Sequence, residues 1–212
     1  MLPAPSTPTA LPGPAPICGS AAPGLWIAPA CSRNLAHVFR PAHSVDAPLI
    51  LTLTLDAPAQ AFFDELRQRH FPPERNYLHA HLTLFHHLPG AHLAELVQQL
   101  SVLAQHQPPL PLRVAGLQFL GRGVAYRLDG PAVEALHREL QRQWWEQLTP
   151  QDQQRRRPHV TIQNKVAPDV ARALHEHLAA EFEPFGAQGI GLQLWAYRGG
   201  PWELLHSFPF AG

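Results

Sequence analysis

From Pro48 onward the chain switches repeatedly between strand and helix periodicity. Leu49-Ile50-Leu51-Thr52-Leu53-Thr54-Leu55 is short and nearly continuous in apolar residues, the mark of a buried strand. Asp56-Ala57-Pro58 opens a helix, with Pro in the first turn, where its missing N–H has no partner to lose. Phe62, Phe63, Leu66 and His70 continue it at helical spacing. Tyr77 to Phe85 alternates as a strand. Pro89-Gly90 then breaks the chain before an amphipathic helix marked by Leu93, Leu96, Val97 and Leu100. Leu110 to Leu120 and Val124 to Leu128 flank Gly121-Arg122-Gly123 and predict a hairpin. Asp129-Gly130-Pro131 opens a third helix, with Val133, Leu136, Leu140 and Trp144 on one face. After Pro158 come a strand from His159 to Val166 and a helix from Pro168-Asp169 to about Phe182. Two strands close the chain, Gly191 to Tyr197 and Trp202 to Phe208, joined by Arg198-Gly199-Gly200-Pro201.

Alternating strands and helices with frequent hairpin turns predict an α+β fold with mostly antiparallel sheet. There is also an internal echo. The strand carrying His81-Leu82-Thr83 and the strand carrying His159-Val160-Thr161 are each followed by a break and a helix, which predicts two related lobes. Residues 46–212 are read as this folded unit. Residues 1–45 are rich in Pro, Ala, Gly and Ser without either period, and are expected to be a disordered tail or sequence upstream of the true start.

Composition narrows the function. With 45% hydrophobic residues in 212, the chain can bury a sizeable core. Lys+Arg 16 against Asp+Glu 16 rules out a strongly basic coat, so contact with nucleic acid has to be local, in a cleft. The 14 His are the informative excess, because imidazole titrates near neutral pH. The two Cys, Cys18 and Cys31, lack metal or redox spacing, which fits a reducing, cytoplasmic setting. No apolar run is long enough to span a membrane, and no signal peptide is discernible.

Side chains on a strand alternate faces. On the first strand His79, His81, Thr83 and Phe85 share one face, opposite Leu78, Ala80, Leu82 and Leu84. On the second, His159, Thr161 and Gln163 oppose Val160 and Ile162. Each strand thus turns an apolar side to the core and presents His then Thr on the other. A neutral imidazole can take a proton from water, an imidazolium can give one to a leaving oxygen, and a Thr hydroxyl can donate to a phosphate oxygen. Two such units across a cleft would put acid and base on opposite sides of one phosphorus. A single His-x-Thr is weak evidence, since a surface His is the usual case; two copies with the same face logic carry more.

His81-Leu82-Thr83-Leu84-Phe85 and His159-Val160-Thr161-Ile162 resemble the paired His-x-Thr/Ser-x-hydrophobic motifs of the 2H (two-histidine) phosphoesterase superfamily. The branch most similar is the 2′-5′ RNA ligase, or RNA 2′,3′-cyclic phosphodiesterase, family. The opening Leu-Thr-Leu strand, the Gly-x-Gly hairpin and the closing Gly-Gly-Pro-Trp-Glu-Leu add to the likeness, which covers about Pro48 to Phe210. The resemblance implies a bilobal fold with pseudo-twofold symmetry and a central cleft. It implies metal- and cofactor-independent opening of 2′,3′-cyclic phosphates to 2′-phosphates, on RNA ends or small cyclic nucleotides, with 2′-5′ ligation in some members. His81 and His159 become the catalytic pair, and Thr83 and Thr161 hold the phosphate. Which histidine is the base is not fixed; the leaning is towards His159 activating water and His81 protonating the leaving oxygen.

Arg157, Lys165, Tyr126 and Phe85 are further candidate substrate contacts, the first two for phosphate charge. Arg155 and Arg156 read as a solvated loop, and Trp195 as core that could also stack a base. His79, His81, His86 and His87 lie close in sequence, but no carboxylate completes a zinc set, so a metal hydrolase ranks third. The second reading is a non-catalytic binder of RNA ends that has kept the cleft. No protein partner is expected, and the chain is read as a monomer.

Overall fold

A computed structural model describes residues 47–211 of the chain; the N-terminal stretch and both Cys lie outside them. In order, the elements are β1 (Leu49–Leu55), α1 (Ala57–His70), β2 (Leu82–Leu88), α2 (Leu93–His106), β3 (Leu110–Phe119), β4 (Val124–Asp129), α3 (Pro131–Gln143), β5 (His159–Gln163), α4 (Pro168–Ala180), β6 (Phe185–Tyr197) and β7 (Trp202–Pro209). The helices α1, α3 and α4 each carry Pro in the first turn, as the sequence predicts.

The strands pair antiparallel in the order β1-β2-β5-β4-β3-β6-β7, and β1 also pairs with β6. The long β6 makes this possible. Its first part, Phe185 to Gly189, pairs with β3, and its remainder pairs with β1 and β7. The sheet therefore has two halves. One holds β2, β1, the end of β6 and β7; the other holds β5, β4, β3 and the start of β6. They share β6 and meet again where Leu82 of β2 pairs with Val160 of β5. An approximate twofold through that pair relates β1-α1-β2-α2 to β4-α3-β5-α4. The helices obey it too. Helix α1 crosses over to pack on β5, while His137 of α3 stacks on Phe85 of β2. Helix α2 covers β6 and β7, and α4 covers β3 and β4. The α+β, two-lobed expectation is borne out.

Three strand boundaries differ from the sequence pattern, each for a local reason. Residues 77–81 are not in the ladder, because side chains take their backbone groups. Arg67 Nε donates to the Leu78 carbonyl at 3.0 Å, and Asp64 Oδ1 accepts the Ala80 N–H at 2.6 Å. Strand β5 ends at Gln163, where Asn164 Oδ1 accepts the N–H of Lys165 and Lys165 turns the chain at φ 64. Strand β6 begins six residues earlier than Gly191, since Gly186 and Gly189 dilute its strand signal. Gly189 is there for space: a Cβ on it would stand 2.7 Å from Leu53 Cδ2.

The register also slips inside β2. Thr83 pairs with Thr52, but Leu51 pairs with Phe85, so Leu84 is an extra residue opposite β1. A bulge of this kind inverts the faces that follow. Phe85 therefore leaves the His81–Thr83 face and enters the core, fully buried, stacked on His137 at 4.6 Å and edge-on to Trp144 at 5.3 Å. Tyr126 is core as well, 3% exposed among Phe62, Phe63 and Phe182. Neither ring is available to a substrate, which corrects both expectations.

Phe85→Ala is expected to destabilise the fold by about 3–5 kcal/mol, the range for emptying a large aromatic from a core. Urea denaturation of the two proteins measures it; a difference below about 1 kcal/mol would show that Phe85 is not packed as described.

Candidate active site

The site is built on the Leu82↔Val160 pair. Both side chains are fully buried on the core face, beside Tyr126, which pairs with Val160 from β4. Antiparallel register then sets His81 opposite Thr161 and Thr83 opposite His159, all four on the other face. Directly opposed positions lie about 5 Å apart and diagonal ones about 7–8 Å. The two histidines occupy one diagonal and the two threonines the other. An anion placed in the middle would have a histidine at either end and a hydroxyl at either side.

The row continues outward on the same face. Thr52 and Thr54 follow on β1, with Gln193 and Trp195 beyond them on β6. On the other side Ala125 pairs with Thr161 and Arg127 with His159. Arg127 is exposed and 3.4 Å from Asp129. Register sets Arg127 beside His159, while the cation whose charge acts most on the His159 ring is Arg156.

The two histidines are held identically. His81 Nδ1 lies 2.8 Å from the His79 carbonyl, and His159 Nδ1 lies 2.9 Å from the Arg157 carbonyl. A carbonyl only accepts, so each Nδ1 carries the proton and donates it. That leaves each Nε2 with the lone pair, free to exchange a proton. The motif threonines are held symmetrically through their backbone: Arg67 Nη1 donates to the Thr161 carbonyl at 2.9 Å, and Arg156 Nη2 to the Thr83 carbonyl at 3.4 Å. Arg67 is buried, also donates to Asn76 and Leu78, and stacks on Phe71.

Surroundings break the symmetry. Trp202 sits 4.7 Å from the His81 ring, with Trp195 6.2 Å beyond it. Trp195 Nε1 donates to Thr52 Oγ1 at 2.9 Å, which fixes the indole. These groups wall a cavity of about 320 Å³ with His81, Thr54, Gln60 and Gln193; His159 does not line it. Burial pushes the His81 imidazole down to about 4, with Arg67, His86 and His159 adding repulsion and the His79 carbonyl opposing. His159 is also lowered, by burial first and then by Arg156 and His86.

Arg156 turns inward, correcting its reading as solvated loop: its Nη2 lies 2.9 Å from His86 Nδ1. The bulge at Leu84 sets His86 on the motif face, and fully buried Asp152 fixes the backbone there by accepting the N–H groups of His86 and His87. Arg157 is exposed and contributes its carbonyl. Lys165 is exposed, beyond Trp202. Among the described residues no three His, Cys, Asp or Glu side chains converge as a metal-ligand set, and no helix is long and apolar enough to cross a membrane. Sequence reasoning missed Trp202 and Arg127. The Gly-Gly-Pro-Trp run marked Trp202 as a strand start and as part of the family likeness, not as a site residue, and nothing local to Arg127 says which strand lies beside it.

Solved structures share this fold. A Thermus thermophilus protein, TT0787, is 18% identical, with a TM-score of 0.56, over 78% of this chain and 98% of that one. E. coli LigT complexed with 3′-AMP is 21% identical, with a TM-score of 0.50, over 78% and 99%. A phosphoesterase is 20% identical, with a TM-score of 0.50, over 79% and 100%. No curated protein matches the sequence. The fold is that of the 2H phosphoesterases. Residues 55–201 match the profile of the 2′-5′ RNA ligase superfamily, and the chain belongs to that family.

Behind the site His137 is 4% exposed, and its Nε2 has no partner. Burial first, then Arg156, pushes it down to about 4. A histidine lowered on folding contributes stability in full above its unfolded value near 6.5, and that contribution is lost as pH falls towards 4. Melting temperature is expected to drop between pH 6.5 and 4, and His137→Leu to make that drop shallower. Parallel curves for the two proteins would remove His137 as the cause.

Proposed function

We propose that this protein hydrolyses 2′,3′-cyclic phosphates at RNA ends or on small nucleotides to 2′-phosphates, by acid–base catalysis between His81 and His159. One observation carries the reading: the Leu82↔Val160 register, which sets two His-x-Thr units head to tail on one face. With it go the matched Nδ1–carbonyl bonds, which leave both Nε2 atoms for proton transfer. Family membership and the fold likeness support the same reaction class. E. coli LigT has been crystallised with 3′-AMP, a nucleotide, which fits a nucleotide-sized cavity here.

In this mechanism a neutral histidine takes a proton from water as the oxygen attacks phosphorus. The P–O3′ bond breaks in line, and the second histidine donates its proton to O3′. Thr83 and Thr161 donate hydroxyls to the non-bridging oxygens, and Arg127 offsets their charge. The difference in environment supports one division of roles. His81, more strongly desolvated, is neutral through the physiological range and serves as base. His159, opposite Arg127 and outside the Trp-walled cavity, is the acid and takes its proton once an anionic phosphate is bound. This reverses the assignment leaned towards from sequence. Joining of 2′-5′ ends is the same in-line step with a 5′-hydroxyl of RNA attacking in place of water: its oxygen bonds to phosphorus, the P–O3′ bond breaks, and O3′ takes the proton.

Hydrolysis of cytidine 2′,3′-cyclic phosphate, followed by phosphorus NMR in chelator, tests the reading. Each of His81→Ala and His159→Ala is expected to lower kcat/KM by about 10²–10⁴-fold. The pH profile of kcat/KM is expected to be bell-shaped. Its acid limb falls as His81 gains a proton towards pH 4, and its alkaline limb falls as His159 loses one below the ordinary 6.5. An optimum above pH 7.5 would show that these two histidines do not set the profile. An inert wild type that still binds RNA ends would make the cleft a binding module.

A further inference from the structure

We infer that a second recess beside the catalytic cavity receives the nucleotide that precedes the cyclic-phosphate end, so the substrate is an RNA strand rather than a lone nucleotide. The inference rests on the proposed phosphodiesterase reading and specifies its substrate. The recess, of about 390 Å³, is walled by Arg75, Tyr77, Lys165, Tyr197 and Trp202. It adjoins the site, because Trp202 and Leu78 line both hollows. No carboxylate lines it.

Its chemistry is that of a single-strand binding surface. Tyr77 and Tyr197 are 65% and 42% exposed, and both rings line the recess. The Tyr77 hydroxyl donates to the Glu74 carbonyl, which holds the ring in place. Arg75 and Lys165 are exposed, and among the described residues neither enters an ion pair. Aromatic faces interleaved with cations bind unpaired nucleotides by stacking and by neutralising phosphates. The chain carries no net charge, so such a local set is the means it has of holding a polyanion.

Lys165 gives the strongest indication. It is the single lysine of the sequence, and among the described residues the single non-glycine at positive φ. Glycine or asparagine would sit there with less strain. A long cation held in a left-handed turn, on the path out of an anion site, is the kind of backbone outlier that function accounts for.

The geometry gives each part of the strand a place. With the cyclic phosphate between the histidines, the terminal base lies along Trp195 and Trp202. The phosphate on its 5′ side reaches Lys165 and Arg75. The preceding base stacks on Tyr77 or Tyr197. A mononucleotide fills the first hollow alone.

The test compares kcat/KM for cytidine 2′,3′-cyclic phosphate and for the dinucleotide CpC ending in a 2′,3′-cyclic phosphate, with wild type, Lys165→Met and Tyr197→Ala. Wild type is expected to favour the dinucleotide tenfold or more, and each variant to lose most of that preference. One stacked base is worth roughly 5–150-fold. Lys165→Gly, which suits the left-handed turn, is expected to keep or raise the melting temperature while losing the preference equally, which separates recognition from folding. Wild type equal on both substrates, or variants that lose both activities in step, would overturn the inference with the phosphodiesterase reading intact. If wild type turns over neither substrate, that reading fails by itself. Titration of intrinsic tryptophan fluorescence with CpC ending in a 2′-phosphate, against cytidine 2′-phosphate, then decides the recess: a tenfold dinucleotide preference lost in the variants upholds it, and equal affinities reject it.

Discussion

Everything at the candidate site depends on one backbone pairing, Leu82 with Val160. It is where two halves of the sheet touch away from β6, and it is short because one partner leaves the ladder at each end. Residues before Leu82 are taken by Asp64 and Arg67, while those before His159 run into Pro158, which has no N–H to give. A missing pair would let the histidines drift apart. The antiparallel direction matters equally, because it places each histidine opposite the other strand's threonine and so puts the two histidines on a diagonal.

The pairing is secured from behind by groups that never reach the cleft. Leu82, Val160 and Ile162 are fully buried, so a slip of one residue would drive them into water and the histidines into the core. Arg67 and Arg156 add a second restraint by bonding the carbonyls of Thr161 and Thr83. Arg67 is buried with its charge, which is expensive unless its donors are used; three bonds and the Phe71 ring use them. The arrangement resembles a clamp closed from both lobes, with each arginine tying a strand edge to the opposite half.

The periodicity of the chain is enough to read the two lobes and the four motif positions, because those depend on alternation within a strand and on repetition between strands. What it does not carry is anything set by a neighbour. Strict alternation puts Phe85 in the cleft with His81 and Thr83; a bulge at Leu84 is decided by the fit to β1, and it sends the ring to the core and His86 to the cleft. Tyr126 follows Val160 and Leu82 inward by register with β5. Arg156 and Arg157 are adjacent arginines, alike in sequence; the turn before Pro158 decides which side chain faces in. Trp195, weighed as core, and Trp202, not singled out as a site residue, meet at His81 because β6 and β7 are a hairpin whose end overhangs the first lobe.

On the proposed mechanism a symmetric scaffold does asymmetric chemistry. Acid–base catalysis needs two groups of one kind in two protonation states, and a true twofold would give them equal affinity for the proton. The backbone is symmetric to the hydrogen bond: both imidazoles donate Nδ1–H to the carbonyl two residues before. The side chains around them are not. Trp202 packs on the half-buried His81, and desolvation outweighs every other influence on its proton affinity. His159 is lowered by burial, then by Arg156 and His86. On the proposed mechanism a bound phosphate offsets that repulsion, so the proton of the acid arrives with the substrate. The difference between the two histidines is thus written by β7 on one side and the loop carrying Arg156 on the other, and not by the motifs themselves.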